Sequence, residues 1–544
     1  MFRIILLSLT FLFYFSNVFS QCAETNLPKV LLVGDSWAFF MNTESTINNV
    51  FKTWGFSNYK FISNATLAVN GAQTDDIMKA STEAEILRQL TNNPSIEVVH
   101  LSIGGNDFLG DWKVSMTQAE TDTLRNQVFE RLDSIVRFIK SCKPGIRILW
   151  SGYVYTNFEE VINGSSGIGS SNTFYGTWQG MEFPTALQLN TLQNTQSAQM
   201  VAYAASDPQV DYVEANGLMQ YLYGQLTPLE VAPGGTYAAR SVPMPLGDPN
   251  YPSPQTIMRD YFGLFKDCFH LSTQSYKDLV SYQTQKFYHK FLMDDLYLLS
   301  DTAQTGSVSS QGNVSATPYV GEASGEQFST VLSFNTTTMA DTTLKKASIF
   351  LRRKALTGTN PVNGTLDVKI KSGNFGATVN IEAADFSATG DANGTPCLFG
   401  SNTANGDWVR LDLPASVLSQ ISNNSTTQFI ITSSVTGGKT EFYDATDPDF
   451  APVLNLVYGQ VPSGINEATD QKFNVYPNPT NGKLTIESGA EIITHVEVTN
   501  LLGATVLQPQ MQHNAIDISS LPTGMYMLNI TTKNGKSSQR IVKD

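Results

Sequence analysis

The sequence has little of what builds disulfide frameworks, metal sites or nucleic-acid interfaces. Its 544 residues include four cysteines, and 34 lysines and arginines stand against 48 aspartates and glutamates, a formal net charge of −14. Nucleic acid and anionic lipid both need clustered lysine and arginine, so neither is expected as the main partner. The cysteines Cys22, Cys142, Cys268 and Cys397 lack metal-ligand spacing, which argues against zinc. Cys142 with Cys268 is one candidate disulfide.

Long apolar runs are absent beyond the start of the chain. There, Arg3 precedes an apolar run over residues 4–15 and a cleavage-like site follows, so residues 1–20 are predicted to be a signal peptide, with Gln21 starting the mature chain. Cys22 raises a lipoprotein alternative, which Gln21 disfavours because such signals usually need a small residue at that position. No later segment holds 18 uninterrupted apolar residues, so no membrane span is expected after cleavage.

Residues 21–300 alternate short apolar runs with longer amphipathic segments, the pattern of βαβ units around a parallel sheet. The strand-like runs are residues 30–33, 98–103, 146–150 and 210–213. The helix-like stretches are residues 77–90, 117–139 and a closing helix over 276–299. Stretches rich in Gly, Pro, Ser and Asn near 163–180 and 227–254 are interpreted as surface insertions.

The second half of the chain has a different composition. Thr, Ser, Gly and Gln dominate residues 301–315, which are predicted to be a linker. In residues 316–458, short Thr- and Val-rich runs recur between Gly and Asn turns, a pattern that predicts an all-β sandwich. A second linker is predicted over 459–472, and residues 473–544 have the same β character. The expected fold class is multidomain, with an α/β domain followed by two β-sandwiches.

One serine lies where a parallel sheet would place a ligand site. The triplet Gly34-Asp35-Ser36 directly follows the apolar run at 30–33, and a helix-like segment begins a few residues later. Ligands gather at the carboxyl edge of a parallel sheet, and a helix amino terminus there favours developing negative charge. Alone, such a serine is more often a turn or N-cap residue. Its interpretation as a nucleophile therefore depends on finding a base.

Five histidines are available as that base. Four lie in packed or solvated patterns, or far along the chain from Ser36: His100, His289, His495 and His513. His270 differs because Asp267 precedes it by three residues, just before a helix-like segment. A carboxylate at that spacing can hold the second imidazole nitrogen and stabilise the charged ring. We therefore predict Ser36 as nucleophile, His270 as base and Asp267 as its orienting acid.

An acyl-transfer site also needs hydrogen-bond donors for an oxyanion. Gly104-Gly105-Asn106-Asp107 follows the strand-like run at 98–103, and the Asn106 amide offers one donor. The backbone N–H groups of Gly71 and Ser36 are the two other predicted donors. Separately, each of these short motifs is more often a turn.

Together these residues resemble the SGNH (GDSL-like) hydrolase family. The matching blocks occur in family order: Gly34-Asp35-Ser36, Gly71, Gly104-x-Asn106-Asp107 and Asp267-x-x-His270. The resemblance covers about residues 29–300 and implies a flavodoxin-like α/β/α fold, no metal or cofactor, and ester hydrolysis through an acyl-enzyme on Ser36. Trp37 departs from the Leu or Ile that often follows the family's serine, which affects substrate contacts and leaves the triad intact.

The two β domains also resemble known modules. Residues 316–458 are similar to DNRLRE-type sandwiches of secreted bacterial enzymes, through Gly321-Glu322, Leu332-Ser333-Phe334 and Lys371-Ser372-Gly373. Some relatives bind polysaccharide, and a stabilising spacer without a ligand is the equal alternative. An acidic loop with Asp444, Asp447 and Asp449 has the residue types for calcium, although a solvated turn is favoured.

Residues 473–544 resemble the C-terminal sorting domain of type IX secretion. The motifs are Tyr476-Pro477-Asn478-Pro479, Asn481-Gly482 and Leu521-Pro522-Thr523-Gly524. This resemblance implies that a diderm bacterium exports the protein to its surface or beyond, with the type IX machinery as a partner.

The sequence thus predicts a secreted ester hydrolase that removes acyl groups, such as acetyl, from polysaccharide or other glycans. A lipase acting on lipid esters is the alternative enzyme, with Phe39, Phe40 and Met41 as candidate contacts to an acyl chain. A surface adhesin without catalysis is the alternative of another class. The complete set of site residues, which includes Ser36 and His270, argues against the adhesin.

Overall fold

The computed structural model describes residues 24–459 and 473–544, apart from short gaps at 341–342, 401, 422, 424–425, 488–492, 501–504, 512–513 and 533–535. The predicted signal peptide, Cys22, His513 and all but the first residue of the linker predicted at 459–472 lie outside the described residues. The chain divides into two compact units between Val457 and Tyr458.

The first unit begins with a five-stranded parallel sheet. Its strands are β1 (Leu27–Gly34), β2 (Tyr59–Ile62), β3 (Val98–Ser102), β4 (Arg147–Ser151) and β5 (Val210–Val213), in the order β2-β1-β3-β4-β5. Residues 30–33 of β1 are fully buried, as expected of a strand covered on both faces. This is the doubly wound, flavodoxin-like arrangement, so the predicted α/β class is confirmed.

Helices connect and cover these strands. They are α1 (Ser36–Thr43), α2 (Thr46–Thr53), α3 (Thr74–Ile77), α4 (Ala80–Asn92), α5 (Gly105–Asp111), α6 (Gln118–Cys142), α7 (Glu159–Asn163), α8 (Tyr175–Gly180), α9 (Ala186–Ser206), α10 (Leu218–Tyr223), α11 (Thr273–Gln283) and α12 (His289–Phe291). Capping boxes at Thr117 and Thr185 start the two longest helices, α6 and α9. Two antiparallel hairpins interrupt the alternation: β6 (Gln225–Leu229) with β7 (Gly235–Tyr237), and β8 (Met258–Tyr261) with β9 (Phe265–Leu271).

The closing helix predicted at 276–299 is shorter in the structure. A π-helical turn over Thr284–Tyr288 joins α11 to α12, which ends at Phe291, and Leu296–Leu299 forms a strand, β10. The apolar residues of this strand fit a helical period equally well, and only their pairing with a distant strand makes them β.

The rest of the first unit is a β-sandwich. Its further strands are β11 (Gly306–Ser309), β12 (Val314–Ser315), β13 (Tyr319–Ala323), β14 (Glu326–Asn335), β15 (Leu344–Gly358), β16 (Leu366–Ser372), β17 (Ala392–Gly394), β18 (Cys397–Phe399), β19 (Trp408–Asp412), β20 (Thr426–Ser433), β21 (Gly438–Phe442) and β22 (Val453–Tyr458), with a short helix α13 (Ala415–Leu418). The long strand β15 pairs with β19 in one sheet and with β21 in the other.

The segment predicted as a linker at 301–315 instead belongs to this sandwich. Its strand β11 is buried and pairs with β12 and β14. The Ser- and Gly-rich composition suggested a flexible segment, but small side chains also suit a buried strand packed between neighbours.

The sandwich packs directly against the α/β domain. Trp408 of β19 is fully buried, with its ring centroid 5.6 Å from that of Trp54 and 4.4 Å from that of His289. Phe350 of β15 lies 5.3 Å from Phe56. Aromatic rings from both domains therefore form one continuous core.

A buried arginine joins the same two domains. The Arg410 guanidinium, on β19, donates to the Gly55 carbonyl at 2.9 Å and to Asn58 Oδ1 at 2.7 Å. Its charge is paired with the carboxylates of Glu24 and Asp412. Every donor of a buried guanidinium needs a partner, so this network holds the sandwich in one position on the α/β domain.

The candidate Cys142–Cys268 disulfide does not form. Both thiols are free. Cys142 ends α6, shortly before β4 begins at Arg147, which places it at the amino edge of the sheet, whereas Cys268 lies next to the His270 region at the carboxyl edge. Separation along the chain could not reveal that the sheet lies between them.

The acidic loop of the sandwich makes protein contacts. Asp444 Oδ1 accepts from the Thr446 N–H at 2.9 Å, Asp447 Oδ1 accepts from the Asp449 N–H at 3.0 Å, and Asp449 Oδ2 accepts from Gln285 Nε2 at 2.7 Å. Within the described ranges, no three His, Cys, Asp or Glu side chains are grouped as a metal site. The same ranges contain no helix long and apolar enough to cross a bilayer.

The second unit, described by itself, is a small β-sandwich. Its strands are β23 (Asn474–Tyr476), β24 (Lys483–Glu487), β25 (Ile493–Thr499), β26 (Thr505–Leu507), β27 (Ala515–Asp517), β28 (Gly524–Thr532) and β29 (Lys536–Lys543). They form sheets of order β23-β24-β27 and β26-β25-β28-β29 around an apolar core that includes Leu484, Val498 and Leu528. The predicted β-sandwich class of the second half is therefore confirmed.

We expect Trp408→Ala to lower the free energy of unfolding of the full chain by about 3–5 kcal/mol, because it removes a buried ring shared by two domains. Urea denaturation followed by circular dichroism measures the change. Leu226→Ala is the control, since that side chain is 80% exposed and its loss is expected to cost less than about 0.5 kcal/mol. Equal effects of the two substitutions would contradict a shared core.

Candidate active site

Ser36 lies at the point where the strand order of the parallel sheet reverses. Strand β2 pairs with one edge of β1, and the next strand along the chain, β3, pairs with the other edge. Such a switch point opens a crevice at the carboxyl ends of the strands. Gly34 lets these ends meet, because a Cβ there would lie 1.8 Å from the Ser102 carbonyl oxygen. Ser36 follows as the first residue of α1, so its N–H has no partner within the helix.

The structure brings Ser36, His270 and Asp267 together. His270 Nε2 lies 2.7 Å from Ser36 Oγ, and His270 Nδ1 lies 2.7 Å from Asp267 Oδ2. All three residues are buried. Both Asp267 and His270 lie on β9, whereas the sequence suggested a loop before a helix, and α11 begins two residues after the strand ends.

The Asp267 carboxylate is fully buried, and both of its oxygens accept hydrogen bonds. Its Oδ1 accepts from the N–H groups of Phe269 and His270, each at 2.9 Å, and its Oδ2 also accepts from the Tyr261 hydroxyl at 3.1 Å. Burial and the neighbouring carboxylate raise the pKa of Tyr261 to about 12, so this hydroxyl keeps its proton. Tyr261 was missed in the sequence because only the β8–β9 hairpin places it opposite Asp267.

Asn106 lies at the second position of α5, directly after β3. Its Nδ2 donates to the Ala72 carbonyl at 2.9 Å, which leaves the second hydrogen of the amide for another acceptor. This bond holds the segment of Gly71 beside Asn106, and Gly71 takes a left-handed backbone conformation with φ of 79°. Ser36 and Asn106 line one cavity, whereas Gly71 is not among its lining residues.

Asp107 holds the two segments of the predicted oxyanion site together. Its buried carboxylate accepts from the Thr74 hydroxyl at 2.6 Å and from the Thr74 N–H at 3.1 Å. Arg131 on α6 donates to it at 3.0 Å. Thr74 and Arg131 had no signal in the sequence, because each gains its role only when α3, α5 and α6 meet.

The cavity beside Ser36 is small and mostly apolar. Its volume is about 90 Å³. The lining includes Phe108 and Leu109 of α5, Leu189 and Leu192 of α9, and Tyr153 of the loop after β4. A larger cleft of about 350 Å³ between α7 and β6 contains neither Ser36 nor His270.

Aromatic side chains enclose the imidazole. The Phe40 ring lies edge-on to the His270 ring with 5.0 Å between the ring centroids. The Arg259 guanidinium lies over the Phe40 ring, 3.9 Å from its centroid. Trp37 packs edge-on against Tyr153 at 4.8 Å. Met41 is fully buried, and Phe39, Phe40 and Met41 are absent from the cavity lining.

The remaining described histidines lie outside this site. His100 is buried in β3, where its Nδ1 lies 2.9 Å from the Tyr288 hydroxyl, and His289 is buried against Trp408. Burial lowers the pKa of both imidazoles to about 3, so they are neutral packing groups. His495 is exposed on β25 of the second unit.

Residues 474–544 match the secretion system C-terminal sorting domain. This agrees with the resemblance recognised in the sequence and with the small β-sandwich found there. The chain therefore carries a sorting domain for secretion. No curated protein matches the chain significantly.

Solved structures similar to this chain include esterases and lipases. One is a carbohydrate esterase family 3 protein from Talaromyces cellulolyticus, 11% identical, covering 49% of this chain and 99% of that one, with a TM-score of 0.28. A GDSL-like lipase from Bacteroides thetaiotaomicron VPI-5482 is 12% identical; the match covers 48% of this chain and 88% of the lipase, with a TM-score of 0.27. A lipase from a goat rumen metagenome is 8% identical; the match covers 48% of this chain and 98% of that lipase, with a TM-score of 0.28. At these scores, the fold assignment rests on the strand order described above.

We expect a fluorophosphonate probe to label Ser36, because a serine hydrogen-bonded to an imidazole base reacts with such reagents. Intact-mass and peptide analysis of the full chain identifies the labelled residue. His270→Ala is expected to abolish labelling, and His495→Ala is the control that keeps it. Labelling of another serine, or equal labelling of the His270 variant, would contradict the prediction that Ser36 is the nucleophile and His270 the base.

Proposed function

We propose that the first unit is a serine ester hydrolase that forms an acyl-enzyme on Ser36. The observation that carries this proposal is the chain of short hydrogen bonds from Ser36 Oγ through His270 to Asp267. A hydroxyl becomes a useful nucleophile only when a base accepts its proton, and the base works best when a third group orients it.

In the acylation step, Ser36 Oγ forms a bond to the ester carbonyl carbon while its proton passes to His270 Nε2. The buried Asp267 carboxylate holds the opposite ring nitrogen and stabilises the imidazolium. His270 then gives the proton to the departing alcohol oxygen as its bond to the carbonyl carbon breaks. In the second step, water attacks the acyl-enzyme with His270 again as base, which releases the acid and restores Ser36.

The tetrahedral intermediates carry a negative oxygen that needs preorganised donors. The unpaired N–H of Ser36 at the start of α1 is one such donor, and the helix terminus adds favourable partial charge. The second amide hydrogen of Asn106 is another. We assign the backbone N–H of Gly71 as the third, supported by the Asn106–Ala72 bond that holds its segment in place.

The size of the cavity favours a short acyl group. An apolar cavity of about 150 Å³ holds benzene, which has six heavy atoms, so one of about 90 Å³ suits three or four. An acetyl or propionyl group fills this volume, and the long chain of a lipid ester would have to extend beyond it. The absence of Phe39, Phe40 and Met41 from the lining also weakens the lipase alternative.

For the alcohol part, we propose an acylated polysaccharide or other glycan. A cavity filled by a short acyl group leaves the alcohol part of the ester outside it, where a polymer can be accommodated. The sorting domain at 474–544 is the basis for expecting export, and polymeric sugars are substrates found outside the cell. The acidic charge of −14 also fits a neutral substrate better than an anionic one.

Ser36→Ala is expected to reduce ester hydrolysis by the purified protein at least about 10³-fold, since it removes the nucleophile. Release of acetate from an acetylated polysaccharide and hydrolysis of nitrophenyl acetate measure the activity, and a triglyceride emulsion tests the lipase alternative. If the wild-type protein hydrolyses none of these substrates and resists the phosphonate probe, the adhesin alternative is favoured. Undiminished activity without Ser36 would refute the mechanism.

We expect Leu192→Ala to shift the preference towards longer acyl groups, because it removes a side chain that lines the cavity. The ratio of kcat/KM for nitrophenyl hexanoate to that for nitrophenyl acetate should rise about 10–100-fold, the range expected when a pocket gains room for methylene groups. Leu187→Ala, at an exposed position of the same helix, is the matched control and should leave the ratio unchanged. An unchanged ratio in the Leu192 variant would show that this cavity does not hold the acyl group.

A further inference from the structure

A second buried carboxylate lies directly behind the nucleophile. Asp35 is 2% exposed and caps α1, with Oδ1 accepting from the Trp37 N–H at 2.9 Å. Its other oxygen, Oδ2, accepts from the Tyr153 hydroxyl at 2.6 Å. A carboxylate so buried needs both bonds, because bulk solvent cannot reach it to replace them. The mechanism proposed above assigns no role to either Asp35 or Tyr153.

Tyr153 contacts three of the segments around the site. Its hydroxyl bonds Asp35, next to the nucleophile. Its ring packs against Gly105, beside Asn106, so closely that a Cβ on Gly105 would lie 3.3 Å from the Cζ atom of the tyrosine. Its carbonyl oxygen accepts from Gln193 Nε2 of α9 at 2.7 Å. One residue therefore links the nucleophile, the predicted oxyanion segment and the helix that lines the cavity.

We infer that Tyr153 is a positioning residue for this site: through its bond to Asp35 it holds Ser36 in place and keeps a negative charge behind the nucleophile. That charge stabilises the His270 imidazolium that forms when Ser36 gives up its proton. The inference rests on the proposed ester hydrolysis. It adds a pH dependence to that activity, because the activity then depends on the charge of Asp35 as well as on His270.

The electrostatic surroundings of Asp35 give the direction of this dependence. Burial raises its pKa to about 6, and the bonds from Tyr153 and from the Trp37 N–H and the positive charge of His270 oppose that rise. Asp107 on α5 adds a smaller rise, and Tyr276 on α11 also faces this carboxylate. As the pH falls through this value, Asp35 takes up a proton and the charge that supports the imidazolium is lost.

Tyr153→Phe keeps the ring and removes the hydroxyl. We expect kcat for nitrophenyl acetate to fall about tenfold, the effect of one lost hydrogen bond to a charged group, with little change in KM. The acid limb of the pH profile of kcat/KM should move to higher pH, because Asp35 without its tyrosine donor takes up a proton more readily.

Asp35→Asn is the complementary variant, since asparagine also caps helices and keeps the shape of the side chain. Here the acid limb should move to lower pH, because position 35 no longer carries a carboxylate that takes up a proton as the pH falls. The plateau of kcat should fall as well. Opposite shifts of the acid limb in these two variants are the specific signature of the inferred role.

Tyr203→Phe is the matched control. The Tyr203 hydroxyl also donates to a carboxylate, that of Asp133, at 2.8 Å, but this pair lies outside the site. The pH profile of this variant should equal that of the wild type. If Tyr153→Phe and Asp35→Asn lower the melting temperature or kcat without moving the acid limb, the two residues are merely structural and the inference is overturned. An active Ser36→Ala variant would instead overturn the proposed function itself.

Discussion

The contact between the ends of β1 and β3 positions the groups of the candidate site. Asp35 donates its N–H to the Ser102 carbonyl at 2.8 Å, an approach that Gly34 permits because a side chain there would strike the same oxygen. The contact fixes where α1 and α5 begin, and with them Ser36 and Asn106. The β8–β9 hairpin places His270 within hydrogen-bond distance of Ser36. A larger residue at position 34 would separate the strand ends and disturb the site as a whole.

The β-sandwich of the first unit is part of the same folded body as the α/β domain. A domain on a flexible linker would expose its surface, whereas here Trp408 and Arg410 are buried against residues 54–58. Strand β10, which directly follows the α/β domain, pairs inside the sandwich and leaves no free linker between them. The shared core favours a stabilising role for the sandwich over that of an independently moving module. Any glycan bound by the sandwich would therefore lie at a fixed position relative to Ser36.

Two of the buried carboxylates around the site, Asp267 and Asp35, are each hydrogen-bonded to a tyrosine. Tyr261 donates to Asp267 behind the base, and Tyr153 donates to Asp35 behind the nucleophile. A phenol is a suitable partner in such places, because burial beside a carboxylate raises the tyrosine pKa and keeps it a donor. The two pairs satisfy negative charges that would otherwise be costly to bury, without adding a cation that would compete with the imidazolium.

The fold class and the residues proposed to react could both be predicted from the amino-acid sequence. Ser36, Asp267 and His270 stand in short local motifs, and the buried run of β1 marks a parallel sheet whose carboxyl edge gathers ligands. It did not reveal Tyr153 or Tyr261, the strand character of residues 296–299 and 306–309, or the free thiol of Cys142. These features arise from long-range contacts, because they depend on partners far along the chain: Tyr153 lies 118 residues from Asp35, and His270 lies 234 residues from Ser36. Local patterns specify which chemistry is available, and long-range packing specifies which side chains meet.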